Sequence, residues 1–184
     1  WQAAGLVGWW PLGAYPDGRD KSLYANHGTL DNTINSDVPT AVSHSSTMGV
    51  SRVARRALKF DGHGGPSWLP GEEDFITVPH SERYNITGDM TITMWATINE
   101  MGASGYYLWY TLLSRNDYSD YTSPYSILWN KASKKYILYA GTGSGTWTVG
   151  THNNANTYGV WNFLFLRVRD NKGILYVDGV SGDT

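Results

Sequence analysis

The sequence predicts an all-β fold, an antiparallel sandwich of two sheets, and three observations carry that prediction. Apolar and polar residues alternate with period two over strand-length windows. No window of comparable length places apolar residues at the i, i+3, i+4, i+7 spacing of an amphipathic helix. β-Branched and aromatic residues fill the alternating stretches, while Gly, Asn, Asp and Pro punctuate them, the pattern of many short strands joined by turns.

The elements follow in order. Ile76 and Val78 alternate with Phe75 and Thr77. Met90, Ile92, Met94, Ala96 and Ile98 alternate with Thr91, Thr93, Trp95, Thr97 and Asn99, so the first set is predicted to face the core; a one-residue slip would invert the strand. Tyr106–Leu113 is apolar on both faces and reads as a fully buried strand. Tyr136–Ala140 and Trp147–Val149 flank the glycine-rich run Gly141–Gly145 as a hairpin. Leu164, Leu166 and Val168 alternate with Phe163, Phe165 and Arg167, and Leu175 and Val177 with Ile174 and Tyr176. Asp61-Gly62 and Asp178-Gly179 are predicted turns at strand ends. Asp31–Ser51, rich in Ser, Thr and Asn, reads as a long loop. With no internal repeat, residues 1–184 read as one domain.

Composition narrows the function classes. At 184 residues with 41% hydrophobic side chains, the chain can build a core without disulfides, which the absence of cysteine excludes along with thiolate chemistry. A net charge of −2 lacks the basic face of a dedicated nucleic-acid binder; Arg52, Arg55 and Arg56 sit among polar residues and read as a solvated loop. No apolar run reaches the roughly 18 residues of a membrane span. The start at Trp1 reads as a processed or partial chain. Nine Trp and 13 Tyr suit half-buried strands and sugar-stacking surfaces alike.

Three segments in register resemble a family. Leu6–Leu12, a strand running into Trp9-Trp10-Pro11, precedes Asp17, Asp20 and Asn26-His-Gly-Thr-Leu30. Ala57-Leu-Lys-Phe-Asp-Gly62 is followed by Phe75-Ile-Thr-Val-Pro79 and Met90-Thr-Ile-Thr-Met-Trp95. Trp161-Asn-Phe-Leu-Phe-Leu166 is followed by Ile174-Leu-Tyr-Val-Asp-Gly179. Together they resemble laminin-G-like, concanavalin A-like lectin jelly rolls of bacterial or viral surface type. The chain departs from that pattern in carrying Asn162-Phe163 where the family has His-His, and in the insertion His63–Glu73. It also stops at Thr184, where the family continues. The resemblance therefore implies a jelly roll lacking its C-terminal strands, completed by a longer polypeptide or by strand addition from another chain.

Chemistry for catalysis is sparse. Glycosidases of this architecture carry carboxylates on alternate residues of one strand, and Glu72, Glu73, Glu82 and Glu100 have no such spacing. A nucleophile elbow is absent, Gly141–Gly145 lacks the Lys-Ser/Thr of a phosphate loop, and the five histidines show no zinc spacing. The resemblance implies a Ca²⁺ at the rim, which by position would use Asp20, Asn26, Asp61 and the Gly62 carbonyl. Asp117 and Asp120 form a second oxygen-rich loop. The same residues serve equally as local Asx-turns. For ligand binding, Tyr118, Tyr121 and Tyr125 on one loop, with Asn153, Asn154 and Tyr158 on another, set aromatic rings beside polar groups that read sugar hydroxyls. Asn85-Ile86-Thr87 has the form of a glycosylation sequon.

The expectation is a non-catalytic extracellular recognition module of a cell or virion surface protein, binding carbohydrate or a protein partner. The alternatives are a structural domain of a surface filament or virion, and a glycoside hydrolase of the same fold. No nucleic acid and no membrane insertion are expected.

Overall fold

The computed structural model describes residues 5–12, 18–31, 40–43, 56–60, 75–86, 88–99, 109–115, 125–141, 147–151, 158–169 and 172–182. The chain divides into two compact units, Trp1–Asn85 and Ile86–Thr184. Among the described residues every paired strand is antiparallel, one 3-10 turn is present and there is no α-helix. The all-β class read from period-two alternation is the observed one.

The first unit holds two short ladders. Strand β1 (Thr29–Asp31) pairs with β4 (Phe75–Thr77), setting Leu30 opposite Ile76. Strand β2 (Thr40–Ser43) pairs with β3 (Arg56–Lys59), so the segment 31–51, expected as a loop, carries one short strand. The 3-10 turn Glu82–Tyr84 begins where Ser81 Oγ accepts the Arg83 amide at 3.4 Å. Leu6–Leu12, expected as a strand, forms none. There the Trp9 amide is taken by the Asp20 carboxylate and the Trp9 carbonyl by the Lys21 amide, so a loop occupies the groups that a ladder would use.

The second unit is a sandwich. One sheet runs β12-β11-β10-β5, from Val180–Ser181, Lys172–Val177, Trp161–Arg169 and Met90–Thr97. The other runs β6-β7-β8-β9, from Trp109–Ser114, Tyr125–Asn130, Lys135–Gly141 and Trp147–Thr151. Ile98, Leu164, Leu166, Leu175 and Val177 meet Ile127, Trp129, Tyr136 and Leu138 in one buried cluster between the sheets. Full burial of each such side chain contributes roughly 1.5–3 kcal/mol. The predicted register of β5 holds: Ile92, Met94 and Ala96 pack on the cluster, and Thr91 and Thr93 are exposed.

Two details position everything else. Full burial on both faces belongs to β7, where Ser126 to Asn130 are all buried. It does not belong to the Tyr106–Leu113 segment: its described part opens β6, in which Tyr110, Leu112 and Leu113 are half-buried and Thr111 is exposed. The hairpin β7–β8 closes over residues 131–134, where Asn130 Oδ1 accepts both the amide and the hydroxyl of Ser133. Asp178 and Gly179 form a two-residue turn between the paired Val177 and Val180, with φ of 50° and 84°. Positive φ at both central residues is the type I′ requirement that Asp-Gly meets. Asp61-Gly62, the other predicted turn, lies outside the described residues.

Candidate functional site

Asp20 is the hub of the loop 18–28. Its Oδ1 accepts the amides of Trp9 (2.8 Å) and Ser22 (2.7 Å), and its Oδ2 accepts the Ser22 hydroxyl (2.7 Å) and the Asn26 amide (2.9 Å). The Asp20 amide in turn points at His27 Nδ1 across 3.2 Å. The residue is only 3% exposed. Burial alone would raise its pKa, but the donors from Ser22, Trp9 and Asn26 favour the carboxylate and leave it below 3.8. Asn26 completes the loop by accepting Trp10 Nε1 on its carbonyl at 3.0 Å.

The structure thus joins two of the four residues expected around calcium, Asp20 and Asn26, through a hydrogen bond. Four protein donors already fill the carboxylate, so a cation there would have to displace them. Among the described residues no three His, Cys, Asp or Glu side chains converge. Asp61 and Gly62 lie outside the described residues.

Of the six expected ligand residues, Tyr118, Tyr121, Asn153 and Asn154 also lie outside the described residues. Tyr125 opens β7, half-buried, and its hydroxyl pKa is raised by burial and partly restored by the Arg115 charge. Tyr158 packs against Trp129 with ring centroids 5.7 Å apart and planes tilted by 58°, and Lys134 Nζ lies 5.2 Å from the Tyr158 ring. Trp129 is four residues along β7 from Tyr125, so the two tyrosines serve points roughly 14 Å apart along the strand.

A second polar assembly crosses the sandwich. The Tyr136 hydroxyl donates to Asn162 Oδ1 at 3.2 Å, and Asn162 Nδ2 donates to Asp178 Oδ2 at 2.8 Å. Asp178 Oδ1 accepts the Phe163 amide, and the Asp178 amide donates to the Phe163 carbonyl. Burial, followed by the nearby Asp178 charge, pushes the Tyr136 pKa far above its usual value. Asn162 stands where the resembling family has the first His of its pair, and it links the Asp-Gly turn to the opposite sheet.

The feature that sequence reading missed is the outward face of the β12-β11-β10-β5 sheet. Alternation puts Asn162, Leu164 and Leu166 inside. On a half-solvated strand the other positions are normally polar, yet here they are Phe163 and Phe165. Phe163 lies opposite Trp95, with ring centroids 5.2 Å apart, and Phe165 opposite Tyr176, with centroids 5.4 Å apart. Trp95 is 51% exposed. Further along the same face, Arg167 falls between Thr91 and Ile174. The signal was present: Phe-Leu-Phe-Leu has no polar phase, and the strand reads as buried unless one of its faces meets something other than water.

Residues 70–184 match the family model described as the concanavalin A-like lectin/glucanases superfamily. The match covers more than half of the chain, and the protein belongs to that superfamily. No curated protein and no solved structure matches it. Among the described residues no helix is long and apolar enough to cross a membrane.

Proposed function

We propose that this protein is a non-catalytic recognition module of a surface protein, and that carbohydrate is its ligand. The observation that carries the reading is the pair of aromatic contacts on an outward sheet face, Trp95–Phe163 and Phe165–Tyr176. Aromatic faces stack on the C–H faces of sugars, and a row of them on rigid strands is organised before the ligand arrives. A non-catalytic role is supported by how the two hydrogen-bonded aspartates are used. Asp20 is filled by four donors and Asp178 by two, which leaves neither poised as an acid or a nucleophile. Membership of a superfamily whose description names lectins agrees with the reading.

A glycan array probed with wild type and Trp95→Ala tests it. Binding to at least one sugar class, reduced in the variant, is the expected result. A blank array with regular self-association would point to the assembly role, a blank array with capture of a defined protein to a protein ligand, and hydrolysis of any polysaccharide to a glucanase.

A further inference from the structure

The aromatic face is not uniform along its length, and this decides what kind of sugar suits it. The strands β5, β10, β11 and β12 contain no Asp or Glu, and their three charged residues are the cations Arg167, Arg169 and Lys172. All three lie toward one end of the sheet, where Arg167 pairs in register with Ile174 and Arg169 with Lys172. Alternation places them on the same outward side as Phe165 and Tyr176. Asp89 reaches Arg169 at 3.7 Å and balances that charge. Among the described residues, Arg167 and Lys172 remain as the cationic end of a face whose uncharged residues on β5, β10 and β11 are aromatic, Thr or Ile, on a protein whose net charge is −2.

Dimensions add a second constraint. From Trp95 on β5 to Tyr176 on β11 the platform crosses two strand spacings and two residues of rise, roughly 12 Å. That is long enough for a pair of linked pyranose rings lying flat. Arg167 sits one alternation beyond Phe165 along β10, on the same outward face and beside the aromatic line. A guanidinium there presents paired N–H donors with the geometry of a carboxylate.

We propose that this face binds an acidic glycan, a chain of flat, equatorially linked pyranose rings bearing carboxylates. Trp95, Phe163, Phe165 and Tyr176, tilted by 48° and 74° within their pairs, pack against the sugar through faces and edges while Arg167 and Lys172 engage the acid groups. The inference rests on the recognition reading above and adds to it the position of the ligand and the sign of its charge.

The test is calorimetric titration of the whole protein with a β-1,4-linked glucan oligosaccharide and with its C6-oxidised glucuronan counterpart, which differ only at C6, a hydroxymethyl in one and a carboxylate in the other. The glucuronan is expected to bind about tenfold more tightly at low salt, with the advantage shrinking as salt is raised. Arg167→Gln should bring the two ligands to similar affinity, and Trp95→Ala should weaken both; circular dichroism checks that each variant is folded. Equal binding of the two ligands by wild type, or an unchanged preference in Arg167→Gln, overturns the acidic specificity and leaves the recognition reading intact. Undiminished binding by Trp95→Ala overturns the placement on this face. If neither ligand binds, the inference fails, and the recognition reading fails with it only if the glycan array is also blank.

Discussion

Asn162 and Asp178 meet side chain to side chain, the Asn162 amide nitrogen donating to Asp178 Oδ2 across 2.8 Å while its oxygen accepts the Tyr136 hydroxyl from the opposite sheet. Replacing Asn162 by Leu keeps the number and branching of the side-chain heavy atoms but strands a buried hydroxyl and removes a charge-assisted bond. The expected loss of stability is about 2–3 kcal/mol, read as a lower urea midpoint at unchanged slope.

Asp20 predicts an acid limb in the stability profile. Its folded pKa lies below the unfolded value near 3.8, so the unfolded chain takes up the proton first as pH falls. The contribution of Asp20 is therefore complete above that value and is lost as pH drops through the folded pKa. Asp20→Asn cannot accept from all four donors, and should be less stable at neutral pH with a smaller gap to wild type in strong acid. Thermal melts of both proteins across the acid range check this; parallel curves would refute it.

Two glycines separate steric from conformational cost. Both Gly18 and Gly179 have positive φ, 71° and 84°. A Cβ on Gly179 would meet nothing within 4 Å, whereas one on Gly18 would lie 2.5 Å from the Gly28 carbonyl oxygen. Gly179→Ala should cost about 1 kcal/mol from backbone strain alone. Gly18→Ala should cost more, because the Gly28-to-Gly18 backbone bond at 2.8 Å must also yield. Equal denaturation midpoints for the two variants would contradict this account.

Thr97 offers a gain. Its Oγ1 is buried with no hydrogen-bond partner among the described residues. Thr97→Val keeps the shape and removes the desolvated hydroxyl, and should raise stability by about 1 kcal/mol. A lower melting temperature would mean that the hydroxyl has a partner.

Trp95 separates binding from stability. Its ring is half exposed and, among the described residues, its ring pair is the cross-strand one with Phe163. Trp95→Ala is expected to cost about 1 kcal/mol in unfolding measurements while reducing glycan affinity by about tenfold or more. A large stability loss would mark the residue as a packing element.

The sequence reading found both a strand with one wet face, Met90–Thr97, and one, Tyr136–Ala140, in which the successive residues Tyr136, Ile137 and Leu138 are all buried. Met90–Thr97 announces itself because core and solvent impose opposite preferences on successive residues, whereas β10 and Ile174–Val177 announce themselves by aromatic and β-branched content. Tyr125-Ser-Ile-Leu-Trp-Asn130 does not alternate, because both its faces are buried, and the most enclosed strand was for that reason the least visible. Leu6–Leu12 failed in the opposite direction. Its apolar residues resemble a strand, but the carboxylate that captures Trp9 stands 11 positions away at Asp20, and no local pattern encodes that capture. For the site, the Asp-rich turn was legible as an oxygen cluster. Its use as an acceptor for backbone amides, and the sharing of Asn162 between two sheets, depend on contacts made only in the folded chain.

The pairing of β5 with β10 has a kinetic consequence. Thr97 is matched to Trp161, and all of β6, β7, β8 and β9 lies between them in the chain. The ladders β7–β8–β9 and β10–β11–β12 join neighbours in sequence and can zip locally, but closing β5 onto β10 requires a long loop to be gathered first. The sheet that carries the aromatic face is therefore expected to be completed late. Until β5 arrives, Leu164 and Leu166 lack one flank and Phe163 lacks Trp95, so the step expected to come late in folding is also the one that assembles the proposed binding face.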